Sequence, residues 1–289
     1  MGLTPQPRIP LAVGNAVGRY SRSRFTDHRP RQRMAMPESE TSYRQSHQGR
    51  GLDYHDRFTR NPRRRMMWKI EQRILDRALD QIHDEQAAEI AYLDFACGTG
   101  RVLAFVSART DTATGVDISE SMLEVAATSA PKAELISADI TLGNSPLTGR
   151  TFDLITAFRF FPNAEESLRT EAISVLSACL KPGGRLILNN HRSRSSLRQR
   201  LVRLLTLGRR GHSGMSHHEV TQLVTAAGLE IEQIAHAGVV PEHEWLLLRP
   251  RFVVEWFERL ATQLPLSLLA ENLVYTCRRP VAETARQAA

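Results

Sequence analysis

A strand that runs into a double-glycine turn and out into a helix constrains this chain more than any other feature: Leu93-Asp94-Phe95-Ala96-Cys97-Gly98-Thr99-Gly100-Arg101-Val102-Leu103. Tyr92, Leu93 and Phe95 make a short apolar strand that carries an acidic residue. Val102, Leu103 and Val106 share one face of the helix that follows. Glycine permits the sharp bend and lets backbone approach a ligand with no Cβ in the way. Such a unit is a nucleotide site, and the spacing narrows which nucleotide. A dinucleotide fingerprint reads G-x-G-x-x-G. Here Ala96 takes the first place of an alternating pattern with Gly98 and Gly100, and Arg101 stands where the third dinucleotide glycine would fall. The Gly-Lys-Ser/Thr of a phosphate loop is absent. Asp117 closes a second strand in Thr114-Gly115-Val116-Asp117-Ile118-Ser119, at about the separation where a carboxylate takes up ribose hydroxyls. The residues therefore offer an adenosine-type ribose site without good pyrophosphate machinery.

Strand and helix patterns alternate over 91–190. Strands are expected near 91–95, 112–116, 133–137, 152–157 and 185–190, and helices near 100–109, 119–128 and 165–179. Alternation of this kind predicts a parallel sheet covered on both sides. Ligands in such sheets sit beyond the carboxyl ends of the strands. Gly98, Asp117, Asp139 and Phe158 all fall at expected strand ends of that one edge. A helix over Arg57–Ile82 precedes the first strand, with Ile70, Ile74, Ala78 and Ile82 as its apolar stripe. After the fifth strand come a basic helix, a capping box at Ser216-His217-His218-Glu219 opening a helix that ends by Gly228, a strand from Glu230 to Ala237, a helix over 250–263 and a last strand from Asn272 to Arg278.

Asp94 through Gly100 resembles the first motif of class I S-adenosylmethionine (SAM) dependent methyltransferases. Further likenesses follow in the family's order. Gly115-Val116-Asp117-Ile118-Ser119 is similar to the ribose-binding motif, and Ser137-Ala138-Asp139-Ile140 to the adenine-contacting one. Phe152-Asp153-Leu154-Ile155-Thr156-Ala157-Phe158 is similar to the fourth strand, and Leu180-Lys181-Pro182-Gly183-Gly184-Arg185-Leu186 to the turn into the fifth. The resemblance covers roughly 65–280. It departs from the family at Ala96, where glycine is usual; the methyl group is small, and a slightly altered backbone approach is expected. The implied fold class is α/β: a doubly wound, seven-stranded, mostly parallel sheet with helices on both faces and an antiparallel last strand. The implied domains are a disordered Arg-rich segment at 1–50 and a methyltransferase domain at 51–289, with substrate-side insertions at 191–215 and 238–269.

The resemblance also implies roles. SAM is the cofactor. The backbone of Ala96, Gly98 and Gly100 would pass beneath its methionine part, and Asp94 would hold the turn or the ammonium group. Asp117 would accept both ribose hydroxyls, since a carboxylate offers two acceptor oxygens. Ile118 and Met122 would sandwich the adenine, Asp139 would accept from its amino group, and the Ile140 backbone N–H would donate to a ring nitrogen. Phe158 would stand near the sulfonium. Tyr54 and Arg57 lie in a segment that folds over the cofactor in similar enzymes, where they would reach the methionine carboxylate; a solvated helix entrance is the alternative.

A hydroxyl acceptor needs a base. His191, in Asn189-Asn190-His191, ends the fifth strand on the cofactor edge and has a suitable intrinsic pKa. It is the candidate catalytic residue, with His243 second; a hydrogen-bonding residue that shapes the pocket is the competing role. His217 and His218 are assigned to the helix cap. No histidine pairs with Cys, Asp or Glu at a metal spacing, so no metal is expected. Cys97, Cys179 and Cys277 fit neither a metal site nor a disulfide framework, which suits a reducing cytoplasm. Cys97 is read as a small residue filling the turn.

The net charge of +7 is almost all arginine, with lysine only at 69, 132 and 181. Such a bias reflects GC-rich coding more often than nucleic-acid binding. Residues 1–50 lack apolar periodicity and read as disordered. A transit peptide, a nucleic-acid arm and a true start at Met34 or Met36 compete for them, the last being preferred. Within 191–215, Arg192, Arg194, Arg198, Arg200 and Arg203 alternate with Leu197, Leu201, Leu204 and Leu205, whose spacing makes one helix face. This helix is a lid, a membrane-surface contact, a grip on an anionic acceptor, or an ordinary packed helix with a solvated face. The expected activity is methyl transfer to a small-molecule acceptor, on an oxygen of a polar metabolite, sugar or lipid-linked intermediate. RNA methylation is the runner-up, although no RNA-binding module and no Asn/Asp-Pro-Pro-aromatic tetrapeptide is seen. A nicotinamide oxidoreductase and a SAM-binding regulator without catalysis complete the alternatives. Peripheral membrane contact is left open, as is the oligomeric state.

Overall fold

The computed structural model describes residues 61–85, 89–191, 193–205, 214–239, 252–253, 256, 260 and 269–281. All of them belong to the unit Glu40–Ala289. The expectations for residues 1–50, Tyr54, Arg57 and His243 lie outside the described residues.

Helix α1 spans Pro62–Glu85 and strand β1 Ala91–Phe95. There follow α2 (Arg101–Ser107), β2 (Thr112–Asp117), α3 (Glu120–Ser129), β3 (Glu134–Ser137), β4 (Phe152–Ala157) and α4 (Glu166–Ala178). The chain continues with β5 (Leu180–His191), α5 (Leu197–Leu205), α6 (His217–Ala226), β6 (Glu230–Ala237) and β7 (Asn272–Arg278). The strands form one seven-stranded sheet in the order β3-β2-β1-β4-β5-β7-β6. β1 through β5 pair in parallel, and β7 runs antiparallel to both β5 and β6. The strand order reverses between β1 and β4, which opens a crevice at their carboxyl ends.

The period of two along each strand divides the core into two faces. Tyr92, Leu154, Ile187 and Val274 pack against Ile70, Ile74, Ala78 and Ile82 of α1 and Leu103 and Val106 of α2. Leu93, Ile155, Leu188 and Tyr275 pack on the other face against Leu168, Ala172 and Leu176 of α4 and Val220 and Val224 of α6. The expected stripe of α1 is thus the stripe that is buried. Every residue of β4 is buried, as a strand covered on both sides must be.

Two elements differ from expectation. β5 starts at Leu180, not near 185, because a register shift between Phe152 and Leu154 lets Phe152 pair with Leu180 before the ladder resumes at Arg185. The Lys181-Pro182-Gly183-Gly184 stretch is therefore an irregular part of the strand. A Cβ on Gly184 would stand 2.9 Å from the Lys181 carbonyl and 3.1 Å from that of Phe152, so only glycine fits there. The second is α5, where of the four readings the ordinary packed helix does not hold: Leu204 and Leu205 are 72% and 73% exposed.

One buried charge ties the sheet to α1. Arg185 is buried on β5 and donates two hydrogen bonds to each of Glu85 and Glu232, at 2.7–3.0 Å. Burial works against its charge, but the two carboxylates outweigh it and raise its pKa.

Candidate functional site

The turn after β1 holds the left-handed region at alternate positions: Ala96 at φ 53°, Gly98 at 55° and Gly100 at 76°. Cys97 N–H donates to the Val116 carbonyl at 3.0 Å, which extends the β1–β2 pairing, and Gly100 N–H donates back to the Cys97 carbonyl at 3.0 Å. Ala96 adopts a conformation that costs an L-residue about 1–2 kcal/mol. The departure from the glycine pattern is accommodated by strain, and the backbone path is kept.

The two glycines serve different ends. A Cβ on Gly98 would meet nothing within 4 Å, so its backbone faces open space where a ligand can lie against it. A Cβ on Gly100 would stand 3.0 Å from Cα and Cβ of Ala126, so that glycine lets α3 approach α2. Gly98 N–H donates to Asp117 Oδ2 at 2.8 Å, and Ser119 N–H donates to Asp117 Oδ1 at 2.9 Å. Turn and carboxylate are thereby fixed to each other. A carboxylate has about four acceptor sites, so this orientation is compatible with hydroxyl donors at the rim.

Asp94 lies beneath the turn, buried, with Oδ1 accepting from Thr156 Oγ1 at 2.6 Å. Thr156 in turn meets the Tyr92 hydroxyl at 2.7 Å. Asp94 Oδ2 has no hydrogen-bond partner among the described residues. Burial pushes its carboxyl up to about 7, against the pull of Thr156, Arg101 and the Leu103 backbone. Burial, together with Asp94 and Asp117, holds the Cys97 thiol well above its usual range. A neutral, buried thiol fits the reading of Cys97 as a turn filler.

The remaining expected cofactor residues line the same sheet edge. Ile118 is half-buried and Met122 is buried on α3. Asp139 follows β3; its Oδ1 accepts from the Thr141 N–H at 3.1 Å and the Thr141 hydroxyl at 2.6 Å, so it also shapes its own loop. Ile140 is buried beside the sheet. Phe158 is buried at the end of β4 among the residues of α1. His191 is half-buried at the last position of β5, paired with Asn272. Register places it three residues beyond Leu188, which pairs with Ala157 at the end of β4. His217 follows the helix cap, and its ring nitrogen meets the Tyr275 hydroxyl at 3.0 Å. The capping box itself is formed: Glu219 N–H donates to Ser216 Oγ at 3.2 Å and Ser216 N–H donates to Glu219 Oε2 at 2.6 Å.

Two residues at this edge, Glu71 and Arg159, are not announced by the sequence. Glu71 of α1 is buried and accepts from Arg101 Nη1 at 3.1 Å and from Asn189 Nδ2 at 3.5 Å. Arg101 also lies 3.9 Å over the Trp68 ring. The residue that replaces a dinucleotide glycine therefore fastens α1 beside the turn. Glu71 shares a helix face with Met67, Ile74 and Ala78, and an acid inside an apolar stripe was the available signal. Arg159 has φ 63° at the end of β4 and donates its N–H to Asn189 Oδ1 at 2.6 Å. Strained non-glycine backbone at a strand end is a recurrent mark of functional sites, but nothing in the residue type announces it.

Residues 93–184 match the family of methyltransferase domains. No curated protein matches the chain in sequence. The fold resembles that of magnesium protoporphyrin IX methyltransferase from Synechocystis with bound SAH, at 14% identity and a TM-score of 0.54, over 80% of this chain and 95% of that chain. The same protein with bound SAM gives 14% identity and 0.51, over 80% and 93%. A SAM-dependent methyltransferase from Clostridium acetobutylicum gives 17% identity and 0.49, over 71% and 90%.

Proposed function

We propose that this chain, whose residues 93–184 match a methyltransferase domain and whose fold resembles that of a methyltransferase with bound SAM, is a class I, SAM-dependent enzyme that methylates a small-molecule acceptor, on an oxygen of a polar metabolite, sugar or lipid-linked intermediate. The observation that carries the cofactor side is the joint geometry of Gly98 and Asp117: backbone facing open space, hydrogen-bonded to a carboxylate at the rim. The residues present fit SAM. The space at Gly98 accepts the methionine part, and the buried Asp94 oxygen offers an acceptor to an ammonium group.

Bound SAM supplies an electrophilic methyl on a sulfonium. The chain's own task is to position. Reacting atoms held in line at about 3–3.5 Å gain much of the rate from orientation alone. Asp117 orients the ribose, and Ile118, Met122, Asp139 and Ile140 form the adenine end. Asp94 and Phe158 stand under the methionine end. Glu71 and Arg101 keep α1 beside the turn, where its apolar stripe excludes water from Phe158. His191 would take the proton from an acceptor hydroxyl at the outer end of β5. A cytoplasmic location belongs to the same reading and is supported by three free, buried cysteines.

The test is incubation of the chain with methyl-labelled SAM and fractionated extract, followed by identification of the labelled product. Label in a low-molecular-mass, base-labile or alkyl-ether oxygen product supports the proposal. Label confined to RNA would replace it, and tight SAM binding with no labelled product would make the chain a non-catalytic binder.

A further inference from the structure

Helix α5 is mounted with its apolar face outward. Leu197, Leu201, Leu204 and Leu205 form that face and are 49–73% exposed, while Gln199 on the opposite side is 6% exposed. An ordinary amphipathic helix does the reverse, since burying a leucine contributes about 1.5–3 kcal/mol. The orientation is imposed at the base of the helix. Ser193 N–H donates to the Glu271 carbonyl at 2.9 Å and Arg194 N–H to the Met215 carbonyl at 3.1 Å. Asn190 holds Met215 from both sides, donating at 2.7 Å and accepting at 3.2 Å.

The β6–β7 connection leaves from the same sheet edge. His191 pairs with Asn272, and Asn272 with Ala237, so the β5–α5 and β6–β7 connections both leave at that level. In the latter, helical Phe252 and Trp256 are 73% and 59% exposed. Of the eleven large apolar side chains exposed among the described residues, nine lie on α5 or on the β6–β7 connection. That edge also carries Gly98 and Asp117.

Charge selects the occupant. Residues 192–218 contain seven arginines and no acidic residue. A second copy docked about a twofold axis would set this stretch against itself. Residues 1–60 carry eleven arginines against five acids and are repelled likewise. RNA would satisfy the arginines and leave the leucines in water. Leucines between arginines suit the headgroup–acyl boundary of an anionic bilayer. No helix among the described residues is long and apolar enough to cross a membrane, and a short amphipathic helix such as α5 suits a peripheral contact. We infer that α5 docks this protein on an anionic lipid surface, with the carboxyl edge of the sheet turned toward it.

Flotation of the full chain with vesicles tests this, using phosphatidylcholine alone and an equal mixture with phosphatidylglycerol, at about 0.1 M salt. The chain is expected to float with the mixed vesicles and to remain behind with phosphatidylcholine alone. Leu204→Glu with Leu205→Glu should lower binding at least about tenfold, and Arg200→Gln with Arg203→Gln should abolish the preference for the anionic lipid. SAH calorimetry on both variants should match the parent, which establishes that they are folded. Failure of the parent chain to float, or leucine variants that float equally well, would overturn the inference. So would a solution dimer that the leucine variant converts to monomer without vesicle binding by the parent. Loss of SAH binding in the parent would instead count against the methyltransferase reading and leave the flotation result standing.

Discussion

The turn after β1 and the base of α5 leave the same edge of one sheet and are built on opposite principles. The turn is defined by backbone: three left-handed residues, a buried acid below and a carboxylate hydrogen-bonded to Gly98. The base of α5 is also well anchored, but what it presents is side chains, with leucine outward on a helix whose sequence interleaves leucine and arginine. On the proposed reading, the first region would recognise a ligand whose shape is fixed, and the second would face the surface that brings or contains the acceptor. A site made of backbone leaves a sequence trace in its glycines, whereas a surface made of exposed side chains leaves only a periodicity.

The strongest way to break this contrast lies within the turn. Gly100→Ala should cost about 3 kcal/mol of stability, from a positive φ and a 3.0 Å approach to Ala126. Gly98→Ala places its methyl in open space and should cost about 1–2 kcal/mol of stability while weakening SAH binding more than Gly100→Ala weakens it per kcal/mol lost. Paired denaturation curves and calorimetry compare the two. Equal effects would mean that Gly98 has no special relation to the ligand.

On the acceptor side, His191→Ala should slow turnover on an oxygen acceptor by about a hundredfold or more and leave SAH affinity unchanged. Normal turnover would remove His191 as the base.

Asp94 gives a pH test. Its carboxyl sits at about 7 in the fold, above its usual range, so the folded chain holds a proton that the unfolded chain has lost. Stability from this group therefore falls as pH rises from about 4 to about 7. A cationic ligand group favours the ionised carboxylate, so binding below pH 7 releases a proton. SAH affinity should rise with pH up to about 7 and then level off, and Asp94→Asn should flatten the curve. Isothermal titration in buffers of different ionisation enthalpy measures the proton directly.

The smallest effect concerns Ala96. Glycine there relieves the φ of 53° and should raise stability by about 0.5–1 kcal/mol, with SAH affinity unchanged or improved. A destabilised Ala96→Gly chain would show that the methyl packs usefully.

How far the sequence could be read follows the same division. β1, β4, β6 and β7 were placed to the residue, because apolar runs and alternation have sharp ends in them. β5 was read short, because Gly183-Gly184 imitates a turn when the partner strand is not in view. Asp94, Gly98 and Asp117 were legible through their spacing. Glu71 is not, because an apolar stripe marks a helix face without showing that an acid within it meets Arg101 and Asn189. Arg159 gave no sign, because strain belongs to the backbone. For α5 the periodicity identified a face correctly, but periodicity does not say which way a face points; that depends on Ser193, Arg194 and Asn190 pairing with residues distant in sequence.

Calorimetric titration of SAH into the parent chain and Asp117→Ala tests the central claim most directly. The parent should bind with a clear heat, and the variant should bind about 1–3 kcal/mol more weakly, through ribose hydroxyls left unpaired. Equal affinity of the two, or heat from a nicotinamide dinucleotide and none from SAH, would contradict the account.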